Sequence, residues 1–319
     1  MCKVGMVSGI KSNKINETVA FMQHLSGYMS ISNQDGLGYA AMTSTGDIFG
    51  VRWLDNADAW GSKEYNRVNK KFPGLIDKPE SNSFGKVNFS DITSMMVHTR
   101  YATSAKGMRN THPFVTPDNK IALIHNGVIR NDKDFNLTLS TCDSEAILVG
   151  YIEEAIGNNA KNIQKLVDRL EGYYAVGVLN SNNKSLDIMR GNGARLSFAF
   201  IEELGVFVFT TDGKDITSTC TDLGYSHGII YDFKDEHFMR LDAVTGDMVE
   251  LIEITPYVRQ AVVTAPKYAN MGGWGEHLGG RRSKNVTGTH MQDYMSSSPS
   301  ITKLSEQEVN EYALGWGVE

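Results

Sequence analysis

A cysteine stands second in this 319-residue chain, directly behind the initiator methionine. Removal of that methionine would leave Cys2 with a thiol and a free α-amino group, a nucleophile and a general base on one residue. An α-amine of pKa about 7.7–8.0 beside a thiol of about 8.5 suits proton exchange near neutrality. Taken alone, a cysteine at this position is a coincidence, and its weight comes from residues further along. Arg100 lies in His98-Thr99-Arg100-Tyr101-Ala102-Thr103, at the end of an apolar run. A strand-end guanidinium is a natural carboxylate receptor, because its planar fork donates two parallel hydrogen bonds. His125-Asn126-Gly127 closes a second apolar run. The Asn126 amide and the unobstructed Gly127 N–H could hold a developing oxyanion. By spacing alone, however, an Asn-Gly pair reads first as a hairpin turn. In Cys142-Asp143-Ser144-Glu145, Asp143 either caps the helix that it opens or offers its carboxylate to an ammonium group. Asn33-Gln34-Asp35-Gly36-Leu37-Gly38 reads in isolation as a connecting turn.

These residues need elements to carry them. The run 3–8, with Val4-Gly5-Met6-Val7, predicts a buried strand leading away from Cys2, and Val19, Met22, Leu25 and Met29 recur at helical spacing. Residues 37–43 and 47–53 read as strands joined by a turn at Ser44, Thr45 and Gly46. A polar, less regular stretch over 55–90 contains Pro73 and Pro79. Strands follow at Thr93 to His98 and Ile121 to Ile124, then a helix over 144–156 with Leu148, Ile152 and Ile156 aligned. A second helix carries Ile163, Leu166, Val167 and Leu170. Short strands are expected at 173–180, 185–190, 197–202, 206–210, 228–233, 237–242 and 248–254, with a short helix after Asp212. Strand runs flanking a helix pair suggest sheets with helices on their outer faces, and periodicity does not separate a layered α/β sandwich from other α+β folds.

Beyond the strands, Asn270 to Ser300 is rich in Gly, Ser and Asn, so 261–300 is expected to be a linker or mobile tail. In 301–319, Ser305 with Glu308 matches a capping box and Leu304 with Val309 a hydrophobic staple, predicting a short C-terminal helix. Composition narrows the function classes. A hydrophobic content of 41% and a charged content of 21% fit an ordinary globular protein. A formal net charge of −6 without a long basic tract argues against nucleic acid as a partner. No membrane span and no secretory signal is visible. The three cysteines, Cys2, Cys142 and Cys220, are not closely paired, which argues against a disulfide scaffold or zinc site and makes a reducing, cytoplasmic setting the default. No P-loop, zinc or calcium spacing occurs, so neither cofactor nor metal is expected.

Taken in order, Cys2, Gln34-Asp35-Gly36, His98–Thr103, His112-Pro113-Phe114, His125–Gly127 and Asp143–Glu145 resemble the motif series of the class II, N-terminal-nucleophile glutamine amidotransferases. The resemblance implies a four-layer αββα sandwich of the N-terminal-nucleophile hydrolase type over residues 2–260. It implies that Cys2 attacks the side-chain amide of L-glutamine, that Arg100 binds the α-carboxylate, and that Asp143 binds the α-ammonium. Asn126 and Gly127 would form the oxyanion hole, with Thr103 and His112 shaping the pocket. Glutamate and ammonia would be the products, formed through a γ-glutamyl thioester. Three departures from the family pattern are visible: Lys3-Val4 where Gly-Ile is common, Ser104-Ala105-Lys106 before Gly107, and Asn33 where arginine is common. Only about 60 residues follow position 255, short for an acceptor domain, so the ammonia is expected to pass to a separate synthase subunit. The competing readings are an N-terminal-nucleophile amidase acting on another amide and a catalytically silent glutamine-binding regulatory protein.

Overall fold

The structure is a computed structural model that describes residues 2–54, 91–102, 106–155 and 160–256. Thirteen strands and four α-helices organise these residues. The strands are β1 (Lys3–Ser8), β2 (Leu37–Thr43), β3 (Ile48–Trp53), β4 (Ile92–Thr99), β5 (Phe114–Val115), β6 (Ile121–Ile129), β7 (Gly172–Asn180), β8 (Ser185–Gly191), β9 (Ser197–Ile201), β10 (Val206–Thr210), β11 (Tyr231–Asp232), β12 (His237–Asp242) and β13 (Met248–Glu253). The helices are α1 (Ile15–Ser30), α2 (Ser144–Gly150), α3 (Ala160–Asp168) and α4 (Gly213–Leu223). One sheet runs β11-β9-β10-β1-β4-β2-β3 and the other β13-β12-β8-β7-β6-β5. The ladders are antiparallel throughout.

Side-chain alternation assigns the faces. In β1, Val4 and Met6 join Ala40, Met42 and Met96 in a core shared with Ala122, Ile124, Ala175 and Leu179 of the second sheet. Their odd-numbered neighbours Val7, Ala41, Met95 and Val97 pack outward against Val19, Met22, Leu25 and Met29 of α1 and Ile216 of α4. On the other side Leu123, Tyr174, Val176 and Val178 face Ala146, Ile147 and Leu148 of α2 and Ile163, Leu166 and Val167 of α3. Both faces of both sheets are therefore buried, and the layers run helix, sheet, sheet, helix. The expected αββα sandwich is the observed fold. Among the described residues no helix is long and apolar enough to cross a membrane. The expected linker over 261–300 and the helix over 301–319 lie outside the described residues.

Three expectations needed correction. The strand placed at Ile121 to Ile124 runs on to Ile129, because β6 keeps pairing with β7 through Asn126↔Ala175, Gly127↔Tyr174 and Ile129↔Gly172. The helix placed over 144–156 ends its α-helical part at Gly150, and Tyr151–Ala155 continue as a π-helical turn. The strand placed over 228–233 shrinks to Tyr231–Asp232.

That π-helical turn brings the Tyr151 ring beneath the second sheet. Its hydroxyl donates to Asp187 Oδ2 at 2.7 Å and accepts from Asn180 Nδ2 at 2.9 Å. Arg240, paired directly across from Asp187, grips the same carboxylate through Nε at 2.8 Å and Nη2 at 2.7 Å. Asp187 is 2% exposed, so removing it would strand a buried guanidinium. Asp187→Ala is expected to lower unfolding free energy by about 3–5 kcal/mol, measured by denaturant titration. A loss below about 1 kcal/mol, the range of exposed pairs, would contradict this account.

Candidate active site

Cys2 precedes β1, the central strand of its sheet, which is paired on one side with β4 (Val4↔His98) and on the other with β10 (Gly5↔Thr210). Residues 4 and 6 point between the sheets, so the same parity carries the side chain of Cys2 to the inter-sheet side. There the half-buried thiol sits against the segment that leaves β4. The Tyr101 N–H donates to Sγ at 3.4 Å, and the S–H reaches the Tyr101 carbonyl at 3.6 Å. Burial pushes the Cys2 thiol up from its ordinary value. The Tyr101 N–H and the positive charge of Arg100 act in the opposite direction, while Asp143 adds to the rise. Charges on Arg100 and Asp143 are thus both felt at the sulfur.

Arg100 directly follows β4 and is 3% exposed. The turn after α1 holds it from both sides, for Arg100 N–H donates to the Gly36 carbonyl at 2.7 Å and Asp35 N–H donates to the Arg100 carbonyl at 3.0 Å. The Asp35 carboxylate accepts from the Ala102 N–H at 2.8 Å and pairs with Lys106. Lys106, followed by the Ala102 N–H, holds the Asp35 carboxyl below the usual range. The Asn33–Gly38 turn is therefore more than a connection, since it straps down the arginine segment. Thr103 lies outside the described residues.

Asn126 and Gly127 lie inside β6, not in a hairpin turn. Asn126 shares the inward parity of Ala122 and Ile124, and its Nδ2 lies 3.5 Å from Thr211 Oγ1. A Cβ at Gly127 would stand 2.0 Å from the Tyr173 carbonyl oxygen and 2.6 Å from His125 Nε2. Only glycine fits here. Asp143 precedes α2, yet its side chain makes no capping hydrogen bond. Instead Oδ2 accepts the Ile129 N–H at 2.7 Å, tying the helix start to the far end of β6.

Two further sets of residues hold this arrangement and were not singled out from the sequence for that role. Glu145 is 1% exposed and accepts the N–H groups of Thr138, Leu139 and Ser140, each at 2.6 Å, so one carboxylate moulds the loop before α2. His98 Nε2 meets the His125 carbonyl at 3.1 Å, and since a carbonyl only accepts, Nε2 carries the proton. His125 Nδ1 in turn pairs with Ser144 Oγ at 2.8 Å. This chain joins β4, β6 and α2, the elements adjoining Arg100, Asn126 and Asp143. The ring of His112 lies 4.1 Å from that of His98 and 4.5 Å from that of Phe114, centroid to centroid. His112 is thus a member of a buried aromatic cluster. The signal for the histidines was present in the motifs, but their partners belong to other strands.

The comparisons with known proteins agree with this geometry. Residues 98–218 match a family described as a glutamine amidotransferase domain. A glutamine–fructose-6-phosphate aminotransferase (isomerizing) from Caldanaerobacter subterraneus subsp. tengcongensis is 33% identical over 222 residues, covering 65% of this chain and 32% of that protein. A protein of the same description from Thermotoga maritima is 26% identical over 248 residues, covering 68% of this chain and 36% of that protein. The match thus spans roughly a third of each of these two relatives. The solved structure of glutamine phosphoribosylpyrophosphate amidotransferase from B. subtilis, complexed with ADP and GMP, superposes with a TM-score of 0.51. It is 16% identical and the match covers 79% of this chain and 49% of that one, a likeness of fold. Over these residues the chain is similar to glutamine amidotransferase domains.

The buried imidazoles make stability depend on pH. Burial lowers His98 to about 3 and His125 to about 4, and puts His112 well below its ordinary 6.5. Between about pH 6.5 and about pH 4 the unfolded chain therefore binds more protons than the folded one. Stability should fall as pH drops through that window, by about 1.4 kcal/mol per pH unit for each imidazole held neutral. Denaturant titrations at several pH values would show it, and a flat profile would mean that these rings charge freely in the fold.

Proposed function

We propose that this chain hydrolyses L-glutamine to L-glutamate and ammonia. The observation that carries the reading is the Cys2 sulfur seated against Tyr101, the residue after the buried Arg100, with Asn126 sharing the parity of the inter-sheet face. A substrate with both an α-carboxylate and an α-ammonium finds a charge partner for each, which favours a free amino acid over a simple amide.

With Met1 removed, the Cys2 sulfur attacks the glutamine side-chain carbonyl carbon and its proton passes to the Cys2 α-amine. The carbonyl oxygen becomes an oxyanion, held by the Asn126 amide and the Gly127 N–H. Collapse breaks the C–N bond, the α-amine returns the proton to the leaving nitrogen, and ammonia departs. A γ-glutamyl thioester remains on Cys2. Water then attacks with the α-amine as base, and glutamate leaves as the sulfur regains its proton. His112 and Thr103 take the pocket-shaping places. No step requires a cofactor or metal.

The ammonia, in this proposal, passes to an acceptor enzyme on a separate synthase subunit. A cytoplasmic setting is part of the same reading.

Intact mass should show loss of Met1, and a diazo-oxo-norleucine electrophile should label Cys2. Cys2→Ala should abolish hydrolysis, and Asn126→Ala should lower kcat by roughly 10²–10³-fold. Arg100→Lys should raise KM for glutamine, since an ammonium cannot reproduce the two-pronged contact. Equal turnover of asparagine would sink the substrate assignment. A protein that retains Met1 and resists labelling would favour a silent glutamine-binding role, and co-purification from the host would test for the synthase.

A further inference from the structure

Thr211, which no motif marks, touches both the strand that follows Cys2 and the Asn126 side chain. It follows β10 directly and is 6% exposed. In register it stands across from Val4, one step beyond Gly5↔Thr210. A hydrogen-bonded antiparallel pair exchanges two N–H···O=C bonds. Here the first is ordinary, with Thr211 N–H donating to the Val4 carbonyl at 3.0 Å. For the second, Val4 N–H donates to the Thr211 hydroxyl oxygen at 2.9 Å. The chain is already turning at this point, because Asp212 is the N-cap of α4 and its side chain accepts the Lys214 N–H. The hydroxyl does the work of a ladder carbonyl and completes the pair nearest Cys2.

The same oxygen lies 3.5 Å from Asn126 Nδ2, at the outer limit of a hydrogen bond. A hydroxyl oxygen has two lone pairs, so it can face Val4 and Asn126 together. That contact points one amide hydrogen at Thr211 and leaves the other for a substrate oxygen. The corner also holds residue 3. Lys3 Nζ meets the Asp215 carboxylate of α4 at 2.8 and 3.0 Å, so the family's common glycine is replaced here by an anchored side chain.

We propose that Thr211 is a positioning residue for the glutaminase reaction, its hydroxyl setting the Cys2 strand and the Asn126 amide in mutual register. This rests on the glutaminase reading given above. Thr211 does not touch the substrate; it acts through Val4 and Asn126. The transition state needs sulfur and amide placed together, whereas ground-state binding depends on Arg100 and Asp143, which Thr211 does not contact. Its loss should therefore appear in kcat and spare KM.

The test is steady-state glutamine hydrolysis by Thr211→Val, which keeps the shape and removes the hydroxyl, and by Thr211→Ser, which keeps the hydroxyl. Thr211→Val should lose roughly 10- to 100-fold in kcat, less than removal of an oxyanion donor itself, with KM changed by less than about 3-fold. Thr211→Ser should recover most of that loss. In an Asn126→Ala background, Thr211→Val should cost clearly less than in the unaltered protein, because neighbours acting together are not additive. A Thr211→Val variant with full kcat, a serine variant as impaired as the valine one, or strict additivity would each overturn the proposal. Should Thr211→Val fail to fold, amide hydrogen exchange decides on the unaltered protein: an unprotected Val4 N–H overturns the proposal, and a protected one upholds the Val4 clamp. An unaltered protein that is inert towards glutamine overturns the glutaminase reading, whereas an active one with an indifferent Thr211 overturns this inference alone.

Discussion

Strand β1 lies at the centre of its sheet, and the rest of the site is arranged around that constraint. A terminal segment is ordinarily the loosest part of a fold, with backbone groups facing water. Here all six residues are laced to β4 and Gly5, Met6 and Val7 also to β10, so the residue before them inherits a fixed place. The flanking strands then bring their own ends to the same spot. β4 runs out at Thr99 and hands on to Arg100 and Tyr101, while β10 runs out at Thr210 and hands on to Thr211. Cys2, Arg100 and the ladder-completing Thr211 hydroxyl meet because antiparallel neighbours place their ends together.

The second sheet supplies what the first cannot. Its β6 lies across the apolar inter-sheet layer, with Ala122 and Ile124 packed there and Asn126 next on the same face. Polar groups at the end of such a layer are expensive unless paired. The pairing found is mostly between strands and helices: His98 to the His125 carbonyl, His125 to Ser144, Asp143 to the Ile129 N–H, and Glu145 to a run of loop N–H groups. These contacts set rotamers and carbonyl directions at the site. Burial, with the Arg100 charge acting on His98 and His112, keeps the imidazoles neutral.

Much of the architecture was legible in the chain. Runs such as Val4-Gly5-Met6-Val7 and the α1 spacing of Val19, Met22, Leu25 and Met29 map onto their elements because both faces of each sheet are buried and helix faces need an apolar stripe. Asn126-Gly127 was the instructive exception. Local statistics favour a turn for that pair, but β7 offers Ala175 and Tyr174 as ladder partners, and pairing across the sheet outweighed the local preference. Asp143 shows the same competition, as its carboxylate left the helix end for a strand N–H that lies 14 positions away.

What the sequence determined by itself was the inventory and its order: a thiol that methionine removal would place at the terminus, a strand-end arginine, an amide next to a glycine, and a carboxylate at a helix start. Those follow from residue types and local periodicity, which act over a few positions. Only the tertiary structure decided that Arg100 and Asp143 act on the same sulfur, that Glu145 moulds a loop, and that a threonine outside every motif bridges Val4 and Asn126. Such relations join residues up to about 200 positions apart, as Val4 and Thr211 are. Register between strands sets them, and for strands distant in the chain it is fixed by which faces the packed sheets bury, with no connecting turn to set it.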